Sequence, residues 1–371
     1  MRVVMALKVR NESDIIDVNL RHHLSHGVDF FVVTDNDSDD GTREILQRYA
    51  DAGLMEVIDE PHEDFWSRAH AWVTRMARLA AERHGADWVL HADADEFWMP
   101  VAGSLKQGLE RVPERYQVVL APRPEFVPRP PGDEPFYERM TVRERYSRLR
   151  PKVAHRALPG VELHQGAHDV ALSEQAAASI LRDSRAVTRF PGAAGVADDG
   201  SLAWAPYWPA RVLHFPIRSY EQYRARVETI VFRGDPPVSE TRKRLRRRYN
   251  NDRLDRSYAK LVAAEPEIER GIEAGRLVVD ERLRDALRDS PDPFAPRSAE
   301  VADSESAEPA AEQAELAEIE YDAMQAIARN QRLLVRRLDR LQRQSGKRKA
   351  RLNPRPGTLP GRMLLRLRRS L

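Results

Sequence analysis

Three clusters of polar and acidic residues each follow directly on an apolar run. Arg10-Asn11-Glu12 comes after VVMAL (Val3–Leu7), Thr34 to Thr42 (TDNDSDDGT) after DFFVV (Asp29–Val33), and Asp93-Ala94-Asp95-Glu96 after WVLHA (Trp88–Ala92). Short continuous apolar runs are the pattern of strands buried on both faces of a parallel sheet. In such a sheet the strands' carboxyl ends share one edge, and ligands bind there. Carboxylates crowded at one edge repel one another unless a cation or a donor-rich ligand lies among them. A few hard oxygen ligands with room left for phosphate oxygens suit Mg²⁺ or Mn²⁺. Each cluster alone also fits a turn or a helix cap; three at one edge are harder to explain that way.

Two other motif readings fail. Asp35, Asp37 and Asp39 are spaced as in an EF-hand, but the sixth and twelfth positions are Asp40 and Leu46 instead of Gly and Glu. His164 and His168 have zincin spacing, but Gln165 stands where the general-base Glu is needed and Gly166 weakens a helix.

DNDSDDGT followed some 50 residues later by WVLHADADEFW resembles the GT-A glycosyltransferases, in particular the family 2-like branch whose aspartate motif reads DADEF. The resemblance takes in Asn11-Glu12 and three later blocks, RPKVAHR (150–156), HQGAHD (164–169) and HFPIRS (214–219), and so covers roughly residues 1–235. It implies a Rossmann-like, mostly parallel α/β sheet and a metal-dependent, inverting transfer of sugar from a nucleotide diphosphate to a hydroxyl. On that pattern Asp95 coordinates the metal, and Asp93 meets the ribose or the metal's water shell. Asn11, Glu12, Asp35 and Asn36 line the base and ribose pocket. Asn36 stands where relatives often carry a second Asp, and an amide both donates and accepts. Arg68, on a helix, is placed for a phosphate contact or for solvent, while Lys152, His155 and Arg156 make a cationic patch suited to the diphosphate. The metal's imidazole falls to His168 or His164, and the carboxylate that takes the acceptor's proton to Asp169 or Glu125. The Q-x-x-R-W block of processive synthases is absent, which implies addition of one sugar.

The elements that must hold these residues alternate. Beyond the strands already given, Asn11 is a candidate cap for a helix with Ile16, Leu20 and Leu24 on one face. Met55–Ile58 and Tyr116–Ala121 read as further strands, and Phe65, Ala69, Trp72, Met76 and Leu79 trace one face of a helix. Prolines crowd 122–135, so that stretch reads as a loop or lid. Val212–Phe215 is strand-like, and a helix starts near Ser219. The expected organisation is a catalytic domain over 1–290, with a nucleotide-binding half to about 121 and an acceptor-side half beyond it. A linker (291–310), an amphipathic helix (311–345) and a basic tail (346–371) follow. Met324, Ile327, Gln331, Leu334, Leu338 and Leu341 form an a/d seam that suits a coiled coil, and hence a homo-oligomer, or packing on the same domain.

Composition narrows the remaining classes. The chain has 371 residues, 60 basic and 58 acidic, and no cysteine, which excludes disulfides, thiolate metal sites and a cysteine nucleophile. No stretch of 18 apolar residues exists, and MRVVMALKVRNE has too short an apolar run for a signal peptide, so a cytoplasmic protein is expected. The formal charge of +2 hides an uneven distribution: residues 336–371 carry +12 and the rest −10. An acidic body disfavours nucleic acid, and the basic run RKRLRRRYNNDRLD (242–255) reads as a solvated helix face. In the tail Arg362, Arg366 and Arg369 share one helical face and Leu364, Leu367 and Leu371 another, a pattern able to lie on an anionic membrane near a lipid-linked acceptor. The alternatives are a nucleotidyltransferase-like enzyme, disfavoured by the glycine-free loop KVRNESD, and a scaffold assembling partners through the C-terminal helix. If the tail docks on membranes, vesicles of anionic phospholipid float the full chain but not a chain cut after Ser345; equal flotation overturns that role.

Overall fold

The computed structural model describes residues 1–60, 65–145, 149–158, 160–164, 167–171, 192–196, 202–205, 208–232, 240–288, 290 and 293–294. The linker, amphipathic helix and basic tail expected from 291 onward therefore lie outside the described residues, apart from Pro293 and Phe294.

The first part alternates as the apolar runs require: β1 (Val3–Val9), α1 (Ile16–Ser25), β2 (Phe30–Asp35), α2 (Thr42–Asp51), β3 (Met55–Asp59), α3 (Phe65–Glu82) and β4 (Trp88–Asp93). Then come β5 (Glu96–Pro100), α4 (Leu105–Glu110), β6 (Val118–Ala121), α5 (Phe136–Arg139), β7 (Val142–Glu144) and β8 (Lys152–Arg156). Short strands β9 (Glu162–His164), β10 (Asp169–Ala171), β11 (Gly192–Val196), β12 (Leu202–Ala205) and β13 (Ala210–His214) follow. The last elements are α6 (Tyr220–Phe232), α7 (Glu240–Asn250), α8 (Leu254–Ala259), α9 (Glu265–Glu273), β14 (Leu277–Val279) and α10 (Arg282–Arg288).

Eight strands form one sheet in the order β12-β11-β6-β8-β4-β1-β2-β3. The pairs β4–β1, β1–β2 and β2–β3 are parallel, whereas β8 runs antiparallel to both β4 and β6. The expected α/β sheet is thus present, with β6 pointing the same way as β4 across the reversed β8. Val4, Ala6, Val32, Val89, Val118 and Val153 of this sheet pack with Val73, Met76, Ala77 and Ala80 of α3 in one buried cluster. The proline-rich stretch carries two isolated bridge pairings, Glu125 with His214 and Phe126 with Arg143. Among the described residues no helix is long and apolar enough to cross a membrane.

Two expectations change. Asn11 does not cap α1: the helix starts at Ile16 with no side-chain cap, and Asn11 instead takes a left-handed φ of 50° in the loop after β1. The second change is β5, which begins one turn after β4 and pairs antiparallel with β13 (Phe97 opposite Leu213, Glu96 opposite His214). Its Trp98 is held by two buried histidines of α1. The Trp98 amide donates to Nε2 of His23 at 3.0 Å, and its carbonyl accepts from Nε2 of His22 at 3.0 Å. Because His23 accepts at Nε2, it must carry its proton on Nδ1, where it donates to the Asn19 carbonyl at 2.9 Å.

That arrangement only admits neutral rings. Burial, with His26 nearby, pushes His23 down to about 3, and burial lowers His155 to about 4. In the unfolded chain these rings take a proton near 6.5, so between the two values the unfolded state binds more protons. Stability is then complete above pH 6.5 and falls as the pH drops, by up to about 1.4 kcal/mol per pH unit for each ring. Denaturant unfolding at pH 7.5 and pH 5 should show the loss, and His23→Gln should reduce its pH dependence.

Candidate active site

β1, β2 and β4 are in register, Lys8 lying between Thr34 and Asp93 and Val9 beside Asp35. Their parallel direction brings the three sequence clusters to one edge, as expected. Once there, the acids divide into those used for structure and those left for chemistry.

The Asp35–Asp40 cluster serves the loops. Asp35 accepts from Ser38 Oγ at 2.6 Å, and Asp40 from Thr42 Oγ1 at 2.6 Å and the Ser13 amide at 3.0 Å. Asn11 and Asp39 exchange two bonds, Nδ2 to Oδ1 at 2.7 Å and the Asp39 amide to Asn11 Oδ1 at 3.0 Å. The buried Asn36 donates to the Glu60 carbonyl at 3.3 Å, while its own carbonyl accepts from Arg10. This network ties the β1 loop to the β2 loop.

Asp93 is likewise engaged. It pairs with Lys8 and, at 2.9 Å, with Lys152, and its amide donates to Glu96 at 2.8 Å. Lys152, 1% exposed, also meets the fully buried Glu96 at 2.6 Å, and Arg123 meets Glu96 from the other side. Burial opposes the charge on Asp93, but Lys152 and Lys8 outweigh it and hold the carboxyl well below its usual range.

Asp95 is placed differently. The turn that carries it is fixed by Asn19, whose amide donates to the Ala94 and Glu96 carbonyls at 3.0 and 2.9 Å. The buried Asp95 carboxylate faces His214 Nε2 at 3.5 Å and Arg226 at 3.2 Å. Burial opposes this charge too, and His214 and Arg226 overcome it, so Asp95 stays ionised. His214 Nδ1 lies 3.9 Å from Glu125, which is 37% exposed. Arg218, 2% exposed, bonds Glu12 at 2.7 Å, Asp14 at 2.8 and 2.9 Å and the Phe215 carbonyl at 3.1 Å. Burial, partly offset by Arg218 and reinforced by Asp95, raises Glu12 to about 7.

Other sequence candidates fall elsewhere. Arg156 pairs opposite Trp88, at the amino end of β4, because β8 is reversed. It donates to the Tyr116 and Val112 carbonyls at 3.1 and 2.9 Å and stacks on Trp88, far from the acidic edge. Its neighbour His155 is buried and bonds His91 at 3.0 Å. His168 bonds the Pro151 carbonyl at 2.9 Å, is driven to about 3 by burial with Lys152 and Arg123 nearby, and makes no ion pair with Asp93 or Asp95. The side chains of Arg68, His164 and Asp169 lie outside the described residues. His214, Arg218 and Arg226 were not singled out as site residues by sequence. The signal for His214 and Arg218 was the HFPIRS block, whose His and Arg lie next to a strand, but nothing local says which strand it pairs with; Arg226, on the following helix, carried no signal of its own.

Residues 9–136, about a third of the chain, match the family model described as Glycosyltransferase family 92. The enzyme class implied by the resemblance is borne out: glycosyltransferase. The matched stretch holds Asn11, Glu12, Asp35, Asn36, Asp93, Asp95 and Glu125. No curated protein matches the chain. Among solved structures, S. aureus TarS 1–349 is 17% identical over 66% of this chain and 68% of that one, with a TM-score of 0.31. The same protein in complex with UDP is 15% identical over 71% and 76%, with a TM-score of 0.32. Galactosyltransferase LgtC, in complex with donor and acceptor sugar analogs, is 14% identical over 32% and 46%, with a TM-score of 0.24. Likeness of this order says nothing about donor or acceptor.

The Lys152 pairing yields a stability prediction. Lys152→Met leaves Glu96 buried with Arg123 alone and frees one oxygen of Asp93. Removing one partner of a buried ion pair costs about 3–5 kcal/mol, so the unfolding free energy measured by denaturant titration should fall by that amount, whatever the variant's effect on activity.

Proposed function

We propose that this protein transfers a single sugar from a nucleotide-diphosphate sugar to a hydroxyl of a glycan or lipid-linked acceptor, with inversion and with help from a divalent cation. The observation that carries the reading is the buried Asp95 beside His214 at the carboxyl edge of a parallel sheet, inside the segment that matches a glycosyltransferase family. The residues present fit Mg²⁺ or Mn²⁺, with one change of ligand. Asp95 Oδ2 and His214 Nε2 stand 3.5 Å apart, close enough to hold one ion at ligand distances of about 2.1 Å. Two protein ligands leave coordination positions for phosphate oxygens, as magnesium-type sites do. His214 thus takes the role that the resemblance implies for His168 or His164, and Asp93, held by two lysines, supports the site from behind.

Held by Asp95 and His214, a cation would supply neutralisation of the charge on the leaving diphosphate. The chain's own residues do the rest. Asn19 fixes the turn that aims Asp95, and Arg218 joins the loop after β1 to the loop after β13. Glu125, partly exposed and 3.9 Å from His214 Nδ1, is the carboxylate to which we assign the acceptor's proton; Asp169 is the alternative. A cytoplasmic enzyme of envelope or polysaccharide synthesis, peripheral on the membrane, suits the basic tail and a lipid-linked acceptor. The narrower family 2-like placement belongs to the same proposal.

Incubation with a panel of nucleotide sugars, Mn²⁺ and candidate acceptors should release nucleoside diphosphate from one donor. Asp95→Ala should lower turnover by about 10²–10³-fold, the scale of losing one preorganised charge-stabilising contact. Full turnover in that variant refutes the cation site; no release from any donor refutes the transferase reading.

A further inference from the structure

A nucleotide-diphosphate donor brings several negative charges to an edge already rich in acids, so it needs cationic groups with donors to spare. Most of the described cationic side chains at this edge are committed. Lys8 and Lys152 hold Asp93, and Arg123 holds Glu96. Arg218 spends its guanidinium on Glu12, Asp14 and the Phe215 carbonyl. None of these can turn to a phosphate without leaving a buried carboxylate or carbonyl unpaired, which costs more than an exposed contact returns.

Two arginines keep unengaged donors among the described residues: Arg10, bonded through Nη1 alone to the Asn36 carbonyl and Oδ1, and Arg226, which also touches Asp95. Arg226 projects from α6, whose Tyr223 and Val227 are buried against Leu254 and Tyr258, so its backbone is firmly placed. Its side chain is 45% exposed. Among described residues only its Nη1 is engaged, with Asp95 at 3.2 Å and the Pro216 carbonyl at 3.0 Å. Nε and Nη2 make no bond to a described residue. The carbonyl contact keeps the head at the edge, and the remaining N–H groups form the fork that binds phosphate oxygens two at a time. We propose that Arg226 grips the diphosphate of the donor and of the nucleoside diphosphate product. The inference rests on the transferase reading and adds a residue to it. In the free protein Arg226 partners Asp95; the donor's phosphates would take over as partner to Arg226, and a cation held by Asp95 would balance the carboxylate it leaves.

The test is direct binding without turnover. UDP, GDP, ADP and CDP, each with Mg²⁺, and the corresponding nucleosides are titrated into the full chain and into Arg226→Gln, Arg226→Lys and Arg224→Gln by calorimetry. For the diphosphate that the wild type binds, Arg226→Gln should weaken affinity at least about tenfold, the scale of one charge-assisted pair. Arg226→Lys should lose a smaller part, because it keeps the charge but not the fork. Nucleoside binding should stay unchanged throughout, and Arg224→Gln, at an exposed residue paired with Glu228 on the same helix, should behave as wild type. Equal diphosphate affinity in the wild type and Arg226→Gln overturns the proposal, as does an equal loss of nucleoside affinity. If Arg226→Gln does not fold, Arg226→Lys decides by the same comparison. A wild type that binds no diphosphate and releases none overturns the transferase reading as well, and so separates the two failures.

Discussion

The Lys152 ammonium, enclosed between Asp93 and Glu96, is the constraint on which the rest of this edge depends. Glu96 is fully buried and can be ionised there only because Lys152 and Arg123 meet it from two sides. Burial penalises every charge in the group, so the favourable terms must come from close, directed pairing. Lys152 sits at the start of β8, and that reversed strand is what brings an ammonium from the second half of the chain to the end of β4. The pairing also fixes the fate of the two aspartates. Asp93 is neutralised from below by two lysines, whereas Asp95, two residues on and across a turn, faces His214 and the half-exposed Arg226. Two carboxylates of identical type therefore differ in what they can do, and the difference lies entirely in their partners.

The same sorting explains the long acidic run after β2. Its carboxylates could be taken for a cation cage, yet Asp35, Asp39 and Asp40 each accept from hydroxyls, amides or the Asn11 side chain in the adjoining loops. Local side-chain-to-backbone bonds of this kind are the ordinary use of Asp and Ser in loops. Asn11 and Asp37 take left-handed φ values of 50° and 58°, a conformation that Asn and Asp tolerate better than other side chains. The charge density seen in the sequence thus stiffens a loop, and the stiff loop holds Glu12 and Asp14 where Arg218 can reach them.

The legible part of the fold was the part whose signals are local. β1, β2 and β4 announce themselves because strands covered on both faces must be apolar at every position, and their shared direction follows from the helices between them. That alone placed Asp35, Asp93 and Asp95 at one edge. What escaped was strand direction and long-range pairing. RPKVAHR supplies Lys152 and Arg156 four residues apart, and by residue type both suit a phosphate. In a strand running against β4 they fall toward opposite ends, Lys152 under Asp93 and Arg156 over Trp88. Likewise the spacing of His164 and His168 attracts attention, while His214 is a lone imidazole that becomes interesting only when β13 pairs with β5.

That last pairing completes the site. β5 leaves the turn that bears Asp95, and β13 returns beside it in the opposite direction, Glu96 facing His214. An antiparallel partner must end where the other begins, so the end of β13 is delivered to the Asp95 turn by geometry alone. His214 stands at that end, the Phe215 amide donates to the Asp95 carbonyl at 2.9 Å, Arg218 fastens the following loop to the loop after β1, and Arg226 reaches back from α6. Each contact shortens the search for the next. The strand pairing sets His214, the amide bond sets the loop, and Arg218 sets the angle at which α6 departs. The parallel half of the sheet can gather acids by itself, but the imidazole and the guanidinium that give Asp95 its partners come from a segment more than a hundred residues away, placed by this two-stranded ribbon.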